Sequence, residues 1–313
     1  MARKLRMEFG GACYHIINRG NYRAYIFESE GAKKAFESCL FEACQKSGWI
    51  LHAYVLMGNH YHIALETPQA NLSIGMQWLQ STFANRFNAL RGERGHLFQG
   101  RYKALLVEPG KSLGQVCHYI HLNPVRAGLC DVETLRDYRY SSYWYLKHKE
   151  KRPDFMRMEV ALMEAGQLSD TASGWRSYAE YLSWLKEDEP GNKEKLFARM
   201  NEGWALGSQE FKETLIKQYM AETPEVSQRE MEGEARELYW VQLIDRLLKQ
   251  SGYGREKLKE GAKSAEWKLR LASWMKNHTQ VGNKWLSEHL NMGSPATMSH
   301  NLTSYRRKHG KNE

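Results

Sequence analysis

At 313 residues the chain has the length of two domains, or of one domain with additions, and its 42% hydrophobic and 26% charged residues exclude a disordered or fibrous chain. No apolar run reaches the roughly 18 residues of a membrane-spanning helix, and the basic start MARKLRMEFGG lacks the apolar core of a secretion signal, so a reducing cytoplasm is expected. The net charge of +9 is uneven: residues 1–150 hold 19 Lys/Arg against 12 Asp/Glu, residues 151–250 hold 14 against 19, and residues 251–313 hold 12 against 5.

In chain order, CYHIINRG (13–20) reads as a short strand ending at a glycine. ESEGAKKAFESCLFEACQKSGW (28–49) places Ala32, Phe36, Cys39, Leu40 and Ala43 at helical spacing. WILHAYVLMGNHYHIALE (49–66) has strand composition on both sides of Gly58-Asn59, a pair suited to a hairpin turn or a bulge. A helix is predicted from about Leu72 to Leu90 and a strand over RYKALLVE (101–108). A further helix covers GKSLGQVCHYIHLNPVRAGL (110–129), with Pro124 and Gly128 marking its end. The order β-α-β-β-α-β-α predicts an α+β fold of the ferredoxin-like kind, an antiparallel sheet with helices on one face.

After Asp137 the stretch YRYSSYWYLKH is expected to pack back on this domain, and KHKEKRPD (147–154) to be a linker. From residue 155 on, helical signals dominate, with ARELYWVQLIDRLLKQ (235–250) the clearest amphipathic helix. The expected division is residues 1–146, a linker and acidic helical region over 147–250, and a basic region over 251–313. The five cysteines, Cys13, Cys39, Cys44, Cys117 and Cys130, are odd in number and form no CxxC pair, so neither a disulfide framework nor a cysteine zinc site is indicated.

Two histidines, His60 and His62, stand one residue apart inside a predicted strand. Strand side chains alternate faces, so both imidazoles project the same way with Tyr61 opposite. They could share a divalent ion or fill a polar corner of the sheet; a dry core requires partners for their ring nitrogens. On the helix over 111–123, Tyr119 and Asn123 are i, i+4 neighbours, with Gln115 one turn earlier. A tyrosine hydroxyl attacks phosphorus only when the phosphate is polarised, which a metal on the histidine pair would achieve. The plainer reading is a core-capping tyrosine.

The segments MARKLRMEFGGACYHIINRGNYR, LMGNHYHIALE, LFQGRYKALLVE and YIHLNPVRAGL resemble, in this order, the REP-associated tyrosine transposases. These are a domesticated branch of the single-strand HUH tyrosine transposases. The resemblance covers roughly residues 1–146. It implies the same ferredoxin-like sheet (the HUH nuclease fold), Mg2+ or Mn2+ held by His60 and His62, and Tyr119 attacking a single-stranded DNA phosphate. The products would be a 5′-phosphotyrosine and a free 3′-OH. Many insertion-sequence members carry a glutamine ligand one turn after the tyrosine; here that position is Asn123, whose reach is one methylene shorter. It is carried over as the third ligand, and its other reading is to close the helix end before Pro124.

The partners implied are single-stranded and hairpin DNA, the place a bacterial cytoplasm at the nucleoid, and the assembly a monomer or a homodimer; no membrane is expected. Arg3, Arg6, Arg19, Arg23, Arg101 and Lys103 surround the motifs and are read as contacts to phosphates or exposed bases. No nucleotide-binding fingerprint appears. Trp78 and Phe83 are expected in the core, and His15, His52, His96, His118 and His121, lacking paired spacing, are read as structural. The last two also neighbour Tyr119, where either could assist proton transfer.

At the other end, VGNKWLSEHLNMGSPATMSHNLTSYRRKHG (281–310) predicts a short helix, a turn, and a second helix capped by Ser294 with Pro295 in its first position. That polar, basic helix carries Thr297, His300, Arg306 and Arg307, a helix-turn-helix arrangement suited to duplex DNA. It resembles the C-terminal helix-turn-helix of longer members of the group, as GWALGSQEFKETL (203–215) resembles another of their segments; a plain hairpin for oligomer contacts is the other reading. Three functions remain open at this stage: a metal-dependent single-strand DNA endonuclease and strand transferase at hairpin-bearing repeats, a non-catalytic DNA-binding regulator of transposase descent, and an RNA nuclease on the same sheet.

Overall fold

The protein is described from a computed structural model that covers residues 7–187, 197, 199–222, 231 and 233–309. The chain divides into two compact units, one ending at Phe211 and the other beginning at Lys212.

The first unit is built on strands β1 (Ala12–Arg19), β2 (Ile50–Leu56), β3 (His60–Thr67) and β4 (Lys103–Val107) and helices α1 (Glu30–Ser47), α2 (Leu72–Arg91) and α3 (Lys111–Arg126). The sheet runs β2-β3-β1-β4 with every neighbour antiparallel, the ferredoxin-like order. Local chemistry sets the elements. The Ser29 side chain accepts from the Ala32 N–H at 3.2 Å and starts α1, and Gly48, at φ 65°, ends it in the left-handed conformation a glycine adopts without strain. Gly58-Asn59 turns the β2–β3 hairpin, closed by the Met57 N–H on the His60 carbonyl at 2.8 Å.

The helices cover both faces of the sheet rather than the single face expected. Tyr61 meets Phe36 of α1 at 4.7 Å between ring centroids, and Phe36 meets Phe83 of α2 at 5.0 Å. Tyr54 of β2, on that same face, donates its hydroxyl to Glu37 of α1. His62 points the other way, to Tyr119 of α3. The cause is visible in β2 and β3, where residues of both parities are buried, so neither face can be left to water. Helix α3 also runs past Pro124 to Arg126, because a proline in the last turn removes only one N–H from the ladder.

Beyond the Tyr138–Tyr145 stretch, which pairs with β2 through Ser141 and Val55, the chain stays on the sheet. Arg152 binds Asp170 in bidentate fashion at 2.7 and 3.1 Å. Leu51 donates to the Phe155 carbonyl and accepts from the Arg157 N–H, both at 2.8 Å, so residues 155–157 run beside β2. The charged stretch over 147–154 is therefore a fixed part of this unit. A four-residue helix α4 (Trp144–Lys147), then α5 (Glu159–Glu164) and α6 (Ala172–Glu187), follow. α5 approaches α3 at Gly114, where a Cβ would stand 2.5 Å from Glu164 Cβ. A fifth strand absent from the sequence expectation, β5 (Ala205–Leu206), adds in parallel to β4 and makes the sheet mixed.

The second unit is helical among its described residues: Gly233–Gln250, Lys257–Glu260, Glu266–His278, Asn283–His289 and Pro295–His309, beside most of Gln209–Glu222. The last helix buries Met298, Leu302 and Tyr305, spaced four and three residues apart on one stripe. No described helix is long and apolar enough to cross a membrane.

Candidate active site

Alternation along β3 brings His60 and His62 to the α3 face, with ring centroids 5.2 Å apart. His62 is 2% exposed. β1 runs antiparallel beside β3 with Ile17 opposite His62 and His15 opposite Ala64, which sets His15 diagonally against the pair. His15 Nε2 lies 3.0 Å from His62 Nδ1, and His15 Nδ1 lies 2.9 Å from the Met200 carbonyl oxygen.

This chain of contacts fixes the tautomers. A carbonyl oxygen only accepts, so His15 Nδ1 carries the hydrogen. A neutral His15 then offers a lone pair at Nε2, and His62 Nδ1 must donate to it. His62 Nε2 is left with its lone pair available. His60 follows the same logic: its Nδ1 stands 2.7 Å from the Asn59 side-chain oxygen, which leaves its Nε2 as the acceptor. All three rings are held neutral. Burial pushes His15 down to about 4. Burial, then the neighbouring His15, His60 and Arg126, pushes His62 well below the usual histidine range. Burial and Arg19 lower His60. The donor set fits a divalent cation, since two uncharged imidazole nitrogens of one strand face share an environment that disfavours protons.

Tyr119 comes to this face from α3. Its ring lies 5.5 Å from that of His62 and 5.8 Å from that of His15. The hydroxyl accepts a hydrogen bond from Asn201 Nδ2 at 2.6 Å. Phe197 packs on the ring at 5.6 Å, and the Arg126 guanidinium stands 5.3 Å from the Tyr119 centroid and 5.0 Å from that of Phe197. Asn123, one turn on, is 8% exposed and donates its side-chain amide to the Tyr119 carbonyl at 3.0 Å. Lys103 of β4 donates to the Asn201 carbonyl.

His60, His62, Tyr119, Asn123 and Lys103 are thus gathered around one corner of the sheet. Arg19, Arg23 and Arg101 are exposed. Arg19 donates to Gln99, and the Arg23 carbonyl accepts from the Asn59 amide at 3.4 Å, beside the turn that carries His60. Arg3 and Arg6 lie outside the described residues. In the C-terminal unit the Ser294 hydroxyl accepts from the Thr297 N–H at 3.1 Å, closing the N-terminus of the last helix. Thr297, His300 and Arg307 are exposed, whereas Arg306 turns inward to the Ser273 hydroxyl and carbonyl and to Asn277 at 2.8–3.2 Å. His118 and His121 share the Tyr178 hydroxyl, at 2.8 Å each, and then diverge to Glu164 and Ser142. Sequence reasoning missed His15 and Asn201. The first shows only through strand order, and the second stands 82 residues from the tyrosine it contacts.

Residues 9–123 match the family model described as "Transposase IS200 like". A REP-associated tyrosine transposase of Haemophilus influenzae is 24% identical over 119 residues, which cover 34% of this chain and 66% of that relative's length. Among solved structures, a REP-associated tyrosine transposase bound to a REP hairpin overlays with a TM-score of 0.40 at 17% identity, covering 49% of this chain and 89% of the other. A Deinococcus radiodurans transposase overlays at 0.28 and 22% identity, covering 41% and 92%.

Proposed function

We propose that this chain, whose residues 9–123 match the IS200-like transposases and resemble a REP-associated tyrosine transposase, is a metal-dependent single-strand DNA endonuclease and strand transferase acting at hairpin-bearing repeats. The observation that carries this reading is the tautomer chain from Met200 through His15 to His62, which leaves an imidazole lone pair on the face that Tyr119 shares.

In this reading His60 and His62 hold Mg2+ or Mn2+ through their Nε2 atoms. The ion would polarise the scissile phosphate and offset charge developing on its oxygens. Tyr119 supplies the nucleophile: its oxygen bonds to phosphorus, the bond from phosphorus to the 3′-oxygen breaks, and the tyrosine proton is lost as the 3′-oxygen gains one. The 5′-phosphotyrosine keeps the bond energy, so a 3′-OH can reverse the step and join strands without a nucleotide cofactor. Asn201 donates to the Tyr119 oxygen and orients it, leaving its second lone pair for attack. Asn123 acts first on its own helix, tying its amide to the Tyr119 carbonyl. We place it as a support of the tyrosine's turn and as the third ligand only if its side-chain oxygen turns to the ion. Arg19, Arg23 and Arg101 face solvent and suit phosphate contacts beside the hairpin foot; Arg3 and Arg6 remain proposed for the same role from sequence. The exposed Thr297, His300 and Arg307 suit duplex DNA.

Mixing the full chain with an end-labelled hairpin oligonucleotide and Mn2+ should give a denaturation-resistant protein–DNA adduct. Tyr119→Phe should abolish it. An adduct that survives in this variant would move the nucleophile elsewhere, and a wild-type protein that binds duplex without metal and forms no adduct would favour the regulator reading. Equal cleavage of RNA and DNA hairpins would favour an RNA nuclease.

A further inference from the structure

Cys13, His52 and Glu66 belong to three adjacent strands, β1, β2 and β3, and meet well away from His62: Glu66 is four residues further along β3, about 13 Å. Cys13 pairs with Glu66 across β1–β3. His52 sits at the irregularity where the β2–β3 register shifts between Leu51 and Ala53, a position that re-aims a side chain. One ligand-type atom from each residue, the thiol sulfur, an imidazole nitrogen and a carboxylate oxygen, lies within 4.8 Å of both others.

His52 is the independent sign that something is to be bound there. It is 4% exposed, yet neither ring nitrogen makes a hydrogen bond of good geometry, with the Glu66 carboxylate and the Arg157 backbone facing the ring. Nε2 stands 3.5 Å from a Glu66 oxygen, close in charge but outside hydrogen-bond geometry. A buried imidazole whose nitrogens have only loose partners is costly, and His118 and His121 in the same unit both bond closely at theirs.

We propose that Cys13, His52 and Glu66 form a second cation site, separate from the His60/His62 pair, that takes Zn2+. A thiolate–imidazole–carboxylate set suits zinc, whereas the harder Mg2+ and Mn2+ disfavour a thiolate ligand. Tetrahedral donors about 2.0–2.3 Å from zinc stand about 3.5 Å from one another, so no pair of the three groups, all within 4.8 Å, needs to close by more than about 1.3 Å. The fourth position falls to water. Burial, and then Glu66, pushes the Cys13 thiol up to about 12, so without metal it is protonated. Zinc binding therefore converts Cys–SH to a zinc thiolate and releases one proton to solvent, and the affinity rises with pH. The ion would join three strands at the edge where Leu51 bonds to residues 155 and 157, fixing the segment that follows the sheet domain. This site stands or falls independently of the transposase reading.

The test is the purified full chain loaded with Zn2+ or Co2+. The wild type should hold zinc after desalting, and its cobalt form should show a thiolate-to-metal charge-transfer band in the near ultraviolet. That band should persist in His60→Ala/His62→Ala and in Cys39→Ser, and should vanish in Cys13→Ser. A wild type without the band, or a Cys13→Ser variant that keeps it, overturns the proposal. X-ray absorption of the wild-type zinc form decides the matter even if Cys13→Ser does not fold: one sulfur at about 2.3 Å with nitrogen and oxygen neighbours is expected, and a shell without sulfur overturns the site.

Discussion

The two units carry polar chemistry in opposite ways. In the sheet unit the working groups are buried: His15, His62 and Tyr119 are 0%, 2% and 3% exposed, and each is fixed by its neighbours. In the helical unit most polar residues of the last helix face solvent, Arg306 being turned inward, and burial is left to Met298, Leu302 and Tyr305. The first design suits covalent chemistry, since a desolvated pair of neutral imidazoles would hold an ion in one geometry. The second suits long-range attraction to phosphates, which needs exposed charge and little precision. Each variant below should therefore affect one unit and leave the other alone.

The largest effect is expected from His62→Ala. It removes a proposed ligand and the end of the tautomer chain together. Mn2+ binding measured by paramagnetic resonance should fall by more than about 100-fold, with duplex binding by the full chain unchanged. Unaltered Mn2+ affinity would take the metal away from the β3 face.

Acid should separate the units next. A histidine whose folded value lies below its ordinary value favours the neutral form in the native state. Between the two values the unfolded chain takes up a proton that the folded chain refuses, so stability is full above the ordinary value of 6.5 and is lost as pH falls toward the folded value. For His15 that window runs from 6.5 down to about 4, equivalent to roughly 3 kcal/mol. His62, His60, His118 and His121 shift the same way, with burial the largest cause for each. All five cysteines lie before Phe211, so thiol exposure reports on this unit alone. Its urea midpoint should drop steeply between pH 7 and pH 4.5; an unchanged midpoint would mean the histidines are not held neutral.

The contrast between the units also explains what the sequence disclosed. Period-two and period-3.6 patterns are local, so β1 to α3 and the same-facing His60 and His62 could be read directly. The histidine-rich corner could not. His15 reaches His62 only because β1 pairs with β3, a contact 47 residues apart in sequence. Asn201 and Met200 arrive from a segment past α6 with no spacing signal at all. The distribution of helices on both faces was hinted at by the continuous burial of β2, which a hydrophobic run shows but an alternation rule hides. In the helical unit the Ser294-Pro295 cap and the buried stripe were legible, yet the inward turn of Arg306 was not, because its partners Ser273 and Asn277 lie on another helix.

His15 gives a sharper test of the buried design. In the proposed reading it would be a positioning residue, acting on the ion only by holding the hydrogen on His62 Nδ1. His15→Phe keeps an aromatic ring, somewhat larger than imidazole, but removes both hydrogen bonds, so His62 can swap tautomers. The Mn2+ affinity should fall by about 10- to 100-fold, the range typical of lost supporting partners of a metal-bound histidine. A merely structural His15 would lower the urea midpoint and leave the metal affinity of the folded protein as it was.

The smallest expected effect belongs to the helical unit, where two adjacent arginines should part company. Arg307 is exposed, and its replacement by Ala should weaken duplex binding a few-fold and flatten the dependence of log affinity on log salt by about one, the signature of one lost phosphate contact. Arg306 bonds to Ser273 and Asn277, so Arg306→Ala should instead destabilise this unit by about 1 kcal/mol, through lost hydrogen bonds to a charged group. Its salt slope should stay near that of the wild type, because a guanidinium already committed to another helix releases no counterions from DNA. If both variants flatten the slope equally, Arg306 leaves its intramolecular partners on binding, and the helical unit is less fixed in its polar contacts than the sheet unit to which it is contrasted.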